Sequence, residues 1–182
     1  KKHEEIIKKP TGEVIQKIKK YDEIINSVIF FRQNPNILVY GDDGGNLIAS
    51  DLRQSENIAR MRSKRPITCL SLIKDDKLSV ADVCGNIYID KINGNEFKWE
   101  IKLHCDQIVY GTAVDPSGSH LAANDADGYL TIFSILAFSR LEDRIEGRAS
   151  NGTPTQEIVP PRTAWSPDGR YVMSGSTDRF LR

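Results

Sequence analysis

The sequence predicts an all-β fold assembled from about four similar blade units, each a four-stranded antiparallel sheet. Two observations carry that expectation. A short apolar strand, a turn, a second apolar strand and a tight polar turn recur four times, the polar turns being Asp42-Asp43-Gly44-Gly45-Asn46, Val83-Cys84-Gly85-Asn86, Ala126-Asp127-Gly128-Tyr129 and Thr177-Asp178-Arg179-Phe180. The intervals separating the equivalent residues Gly45, Gly85, Gly128 and Arg179 are 40, 43 and 51 residues, and self-similarity near 40 residues signals stacked β-blades. A scaffold of that kind does its work through its loops.

Residues 1–10 read as a charged lead-in, and 11–182 carry the repeat in units of about 11–53, 54–92, 93–135 and 158–182, with an inserted loop at 137–157. Within 14–18, Val14 and Ile18 share one face of an extended segment while Ile15 faces the other way, so the period of two is only partial. Strands follow at 24–30, 37–40 and 46–51, broken by the Asn34-Pro35-Asn36 turn. The second unit repeats this at 67–73, 77–81 and 86–92, with 57–61 as an outer strand between units. In the third, Phe97, Trp99 and Ile101 alternate as an outer strand, and 108–114, 120–124 and 129–135 follow. Asp115-Pro116-Ser117-Gly118 has the Pro and Gly placement of a type I turn, because Pro presets φ and Gly relieves the steric cost after it.

The insertion divides into a charged stretch at 140–146, read as a short helix or an irregular outer strand, and a Ser, Asn, Gly, Thr and Pro stretch at 149–155 read as a loop. The fourth unit stops at Phe180-Leu181-Arg182, inside what would be its third strand, and the first opens on an outer strand. An excerpt of a larger ring of seven or eight blades is the expectation, because natural domains avoid an open apolar sheet edge.

Composition excludes several classes. With 182 residues, 39% hydrophobic and 27% charged, the chain suits a globular domain. No run approaches the roughly 18 to 20 apolar residues of a bilayer span, and the start is no secretory signal, so an intracellular site, cytoplasmic or nuclear, is expected. The 25 basic and 25 acidic residues cancel, leaving no global field to steer a polyanion. Locally, Lys1, Lys2, Lys8, Lys9, Lys17, Lys19 and Lys20 crowd the beginning; they read first as a solvated face and second as a phosphate-contacting arm. Cys69, Cys84 and Cys105 lack CxxC spacing, and His3, His104 and His120 are scattered, which supports neither a disulfide framework nor a zinc site.

Residues with chemical potential have simpler structural readings. Asp42-Asp43-Gly44-Gly45-Asn46 and Asn124-Asp125-Ala126-Asp127-Gly128 cluster carboxylates but lack the distal bidentate Glu of a calcium loop, so turn chemistry explains them. Gly44-Gly45 has no following Lys-Ser/Thr to make a phosphate loop. Trp99 and Trp165 fit core positions better than base-stacking platforms. No Gly-x-Ser-x-Gly elbow exists to supply a nucleophile beside His104 and Asp127. The chain is expected to be no enzyme and to need no cofactor or metal.

Over 11–182 the sequence resembles the WD40-repeat β-propeller family. Ser166-Pro167-Asp168-Gly169 and Ser176-Thr177-Asp178 match its turn and its Ser-x-Asp step, while His104, Asp127, Phe133 and Ser134 fall at its His, Asp, Trp and final Asp positions. The resemblance implies a blade clamp of His104 with Asp127, Asp125 replacing the small hydroxyl, and of Ser176 with Asp178. Units one and two depart from the pattern, with Tyr21 and Ser63 at the His position and Gly44 and Cys84 at the Asp position, so their blades are expected to rely on packing alone. It also implies a non-enzymatic scaffold that binds other protein subunits or peptides within a hetero-complex, through the top-face loops of Glu23, Lys64, Arg65 and Asp106 and through Arg144 and Arg148 of the insertion. The alternative is an RNA- or RNP-associated propeller using Lys1 to Lys20 and Lys64-Arg65.

Overall fold

The structure, a computed structural model, describes residues 5–8, 11–12, 14–18, 23–54, 57–74, 77–93, 96–141, 145–146 and 162–175. A two-stranded antiparallel ribbon, β1 (Glu5–Lys8) and β2 (Val14–Ile18), comes first. Blade one is β3 (Ile25–Phe30), β4 (Ile37–Asp42), β5 (Asn46–Asp51) and β6 (Asn57–Arg62), paired in chain order. Blade two repeats it with β7 (Ile67–Leu72), β8 (Lys77–Asp82), β9 (Asn86–Asn93) and β10 (Glu96–His104). In blade three, β11 (Val109–Val114), β12 (His120–Asp125) and β13 (Tyr129–Ser134) are closed by β14 (Ser139–Arg140) and β15 (Ile145–Glu146), which both pair with β13. Blade four is described through β16 (Thr163–Trp165) and β17 (Val172–Ser174).

The sequence repeat is offset from the blade by one strand. Residues 57–61 and 97–101 close the preceding blade, through β6 on β5 and β10 on β9. Of the charged stretch 140–146, Arg140 lies in β14 and 145–146 form β15, both strands, while 142–144 lie outside the described residues. Each of the first three inner strands also shifts register at the same place, between Ile25 and Ser27, Ile67 and Cys69, and Val109 and Gly111. A repeated bulge of this kind strengthens the local twist of the inner strand.

The middle strands are buried on both faces because each blade is sandwiched between its neighbours. Along β8, Leu78 and Val80 join Val39, Leu47 and Ala49 of blade one, whereas Ala81 joins Val109, Leu121 and Ala123 of blade three. Along β12, Leu121 and Ala123 face blade two while Ala122 packs with Leu130, Ile132, Trp165 and Val172 toward blade four. Alternation by side-chain direction therefore persists, but both directions are apolar. At about 1.5 to 3 kcal/mol for each large side chain fully buried, these layers are the main favourable term in the fold.

Polar bridges between inner strands set the blades' relative height. The Leu70 N–H donates to Ser27 Oγ at 3.1 Å, and Asn26 Nδ2 donates to the Ile67 carbonyl at 2.9 Å. Ser71 Oγ donates to the Thr112 carbonyl at 2.7 Å, and Trp165 Nε1 reaches the Ala113 carbonyl at 3.1 Å. Trp165 is thus a half-buried packing residue whose polar atom is used, as the core reading expects. The side chain of Trp99 lies outside the described residues.

The tight turns lock blade to blade through glycine. Gly85 has φ of 79°, its carbonyl accepts the Cys105 N–H at 2.8 Å, and a Cβ there would strike the carbonyls of Cys105 and, at 2.6 Å, Gln107. Gly45 is placed the same way against the chain at Ser63 and Arg65. Gly85→Ala is expected to lower stability by roughly 2–4 kcal/mol, from left-handed strain plus the collision. A urea-unfolding midpoint equal to that of the parent chain would contradict this.

Candidate functional site

The loop face is built on three turns that share one construction. In each, an Asp carbonyl accepts the N–H of a left-handed Gly three residues on: Asp42 to Gly45 and Asp82 to Gly85 at 3.1 Å, and Asp125 to Gly128 at 3.0 Å. This is a type I turn followed by a glycine bulge. The same aspartate's buried carboxylate then caps the turn from inside. Asp42 accepts the Asn46 N–H at 2.8 Å and Asn46 Nδ2 at 3.0 and 2.8 Å. Asp82 accepts the N–H groups of Cys84 and Asn86 at 2.8 and 3.1 Å, Asn86 Nδ2, and Tyr88 Oη at 3.3 Å. Asp125 accepts the N–H groups of Asp127 and Tyr129 at 3.1 and 3.0 Å.

These caps correct the expectation that blades one and two rely on packing alone. Both have a polar network, moved from the His and Asp positions of the resembled pattern to the hydroxyl position, where each carries an Asp. In blade one it extends further, since Arg60 Nη2 donates to Asn46 Oδ1 at 3.1 Å. A carboxylate reaches more donors than a hydroxyl can, and hydrogen bonds to a charged group contribute about 1.5 to 3 kcal/mol each.

The third blade also departs from the expected His104–Asp127 clamp. His104 is exposed at the end of β10, and among the described hydrogen bonds none joins it to Asp127. The contact between blades two and three at that level is made by Arg140. Its Nη2 donates to the His104 carbonyl at 3.3 Å and lies 3.9 Å from Asp106 Oδ2, while its guanidinium sits 5.9 Å from the centroid of the Phe133 ring. Ser176, Asp178, Arg144 and Arg148 lie outside the described residues.

The four remaining candidates are exposed and fall into two groups. Glu23, Lys64 and Arg65 gather around the Asp42–Asn46 turn: a Cβ on Gly44 would meet Glu23 Cγ at 3.0 Å, and one on Gly45 the Arg65 carbonyl at 2.6 Å. Asn26 Nδ2 ties this turn to blade two, donating to Asp43 Oδ1 at 2.6 Å as well as to Ile67. Asp106 stands one blade on, in the connection that packs over Gly85. Among the described residues no group of His, Cys, Asp and Glu could hold a metal ion, and no helix is long and apolar enough to cross a membrane. Burial pushes the Cys69 thiol up, which keeps it a packing residue rather than a nucleophile.

At the opposite turns the same device recurs. Burial opposes ionisation of Asp115, but hydrogen bonds from Ser117 Oγ at 2.5 Å and from the Ser119 and His120 N–H groups, each at 2.8 Å, outweigh it and hold the carboxyl below 3.8. A depressed carboxyl stabilises the fold above its unfolded pKa and loses that contribution as pH falls through the folded one. The stability difference between the parent and Asp115→Asn should therefore shrink as pH falls below about 4. Urea midpoints measured from pH 7 to pH 2.5 check this; a difference independent of pH would contradict it.

Comparison with known proteins agrees with this geometry. Residues 162–182 match the family described as WD domain, G-beta repeat. Over 172 residues, 94% of this chain, the sequence is 23% identical to the human U5 small nuclear ribonucleoprotein 40 kDa protein and 23% identical to the bovine one (Bos taurus). The chain spans about half the length of these curated relatives, 48% in each case. The crystal structure of the Myceliophteria thermophila Cps50 (Swd1) beta-propeller domain superposes with a TM-score of 0.72 at 17% identity, covering 94% of this chain and 55% of that one. Four-stranded blades and the superposition show that the chain has a β-propeller fold, and its residues 162–182 are similar to a WD40 repeat.

Proposed function

We propose that the chain is a non-enzymatic interaction scaffold, a subunit of a multiprotein complex that holds partners through its loop face and outer rim. WD-repeat propellers typically act as interaction scaffolds, and one observation carries the reading here: the connections pressed against turns locked by buried carboxylates and glycine present Glu23, Lys64, Arg65 and Asp106 as exposed polar groups on a rigid base. Rigidity matters because side chains already held in place lose less entropy when a partner binds.

The rim of blade three adds apolar contact area. Its β13–β14 hairpin carries Leu136, 76% exposed, and Phe138, whose φ of 52° places a bulky residue in the left-handed region, with Leu141 exposed beyond β14. Such strain costs on the order of 1–3 kcal/mol and is characteristic of functional positions. Arg144 and Arg148 follow in the same insertion and belong to this proposed rim site.

A second reading, association with RNA within a ribonucleoprotein, is supported by the similarity to the U5 small nuclear ribonucleoprotein 40 kDa proteins. Under it Lys64-Arg65 and the lysines of 1–20 would contact phosphates, and RNA affinity would fall steeply with salt. An intracellular, nuclear or cytoplasmic, site fits both readings.

Deleting 141–155 is expected to remove partners that co-purify with the parent chain; because it also removes β15 and its pairing with β13, a lower unfolding free energy accompanies the loss, and an unchanged far-UV circular dichroism spectrum shows that the remaining blades stay folded. Unchanged co-purification would defeat the rim assignment. Partner-free chain that binds RNA with a steep salt dependence would favour the second reading.

A further inference from the structure

We propose that the free edge of β6 is a docking strand for an extended acidic segment of a partner protein. This rests on the scaffold reading and names the partner chemistry of one part of the rim. Among the described residues β6 pairs only with β5, so its outer edge presents unpaired backbone N–H and C=O groups. Ala59 and Met61 pack into the layer between blades one and two, which holds the strand in place and turns Arg60 and Arg62 to the other face. Lys64 and Arg65 continue the stripe, and all four cations are exposed.

The sign of this edge is unbalanced in a chain of zero net charge. No Asp or Glu occurs anywhere in 57–74, whereas the sequence of the other long outer strand, β10, alternates Glu96, Lys98, Glu100 and Lys102. Arg62, Lys64 and Arg65 make no ion pair among the described residues. Arg60 is oriented from behind, by Asn46, which is itself held on the buried carboxylate of Asp42.

Residues two apart on a strand lie about 6.6–6.8 Å apart, which is also the carboxylate spacing of an added strand with acidic residues at alternate positions. Strand addition would satisfy the open backbone groups while opposite charges fix register. The same cations repel a basic strand and must be desolvated without compensation against a neutral one, so edge protection and selectivity come from one feature. A phosphodiester chain matches the charge but not the backbone ladder. The exposed aromatics that could stack bases, Phe30, Phe138 and Tyr171, stand on other elements.

The test uses fluorescence anisotropy with three labelled probes: a ten-residue peptide alternating Glu and Thr, its Lys and Thr counterpart, and a twelve-nucleotide oligouridine. The acidic peptide is expected to bind and the basic one not to. Arg62→Glu with Lys64→Glu should weaken binding at least tenfold, Arg60→Gln severalfold, and the control pair Lys74→Glu with Lys77→Glu less than twofold. Hydrogen exchange of β6 amides should slow in the complex. Absence of acidic-peptide binding, equal loss in the control pair, unchanged β6 exchange, or binding of oligouridine alone would each overturn the proposal. The first three outcomes leave the scaffold reading intact if deletion of 141–155 still removes co-purifying partners; loss of that effect counts against the scaffold reading itself.

Discussion

Burial of each blade against the next is the interaction on which the rest of the structure depends. A four-stranded sheet of some 40 residues has two faces and too little apolar area to stand alone. Here β8 gives Leu78 and Val80 to one neighbour and Ala81 to the other, and β12 divides Leu121 and Ala123 from Ala122 in the same way. The inner bridges, Ser27 with Leu70 and Ser71 with Thr112, then fix how far one blade slides past the next. Loop positions follow from that stacking, because every turn begins and ends on a strand whose height is already set.

The buried aspartates convert this packing into a surface of defined shape. Asp42, Asp82 and Asp125 sit where the apolar layers end and spend their oxygens on the backbone of the turn beyond. Each turn is then pressed against the connection to the next blade, as at Gly45 with Ser63 and Gly85 with Cys105. The exposed charges of Lys64, Arg65 and Asp106 stand on those connections. The same chain of contacts runs from Asp42 through Asn46 to Arg60, so the rim inherits its order from the core.

Much of this was legible in the sequence, and the failures have physical causes. Strand periodicity and the recurrence of Gly45, Gly85 and Gly128 gave the blades, since a left-handed turn position admits little besides glycine. Trp165 packs half-buried against the layer between blades three and four, the side its strand position indicated. The polar networks were misplaced because the family pattern directs attention to His104 and Asp127, while the working carboxylate stands two residues earlier, at Asp125. A local signal existed: Asp-x-x-Gly occurs at 42–45, 82–85, 115–118 and 125–128, and that spacing alone describes a carboxylate capping a glycine-closed turn. Arg140 was not legible, because its partners, the His104 carbonyl, Asp106 and Phe133, meet only once blades two and three are stacked. The strain at Phe138 is equally invisible to composition, which contains no φ angle.

Nearest-neighbour burial is tested most directly by native-state hydrogen exchange on Leu121→Ala. Leu121 belongs to blade three but fills the layer shared with blade two, and truncating such a side chain costs about 2–5 kcal/mol. The account predicts that amides of β8 and β9 lose protection together with those of β12 and β13, while β4 and β5 of blade one lose less, as expected when stability is passed from blade to adjacent blade. Loss confined to β11, β12 and β13, with β8 and β9 unchanged, would contradict it.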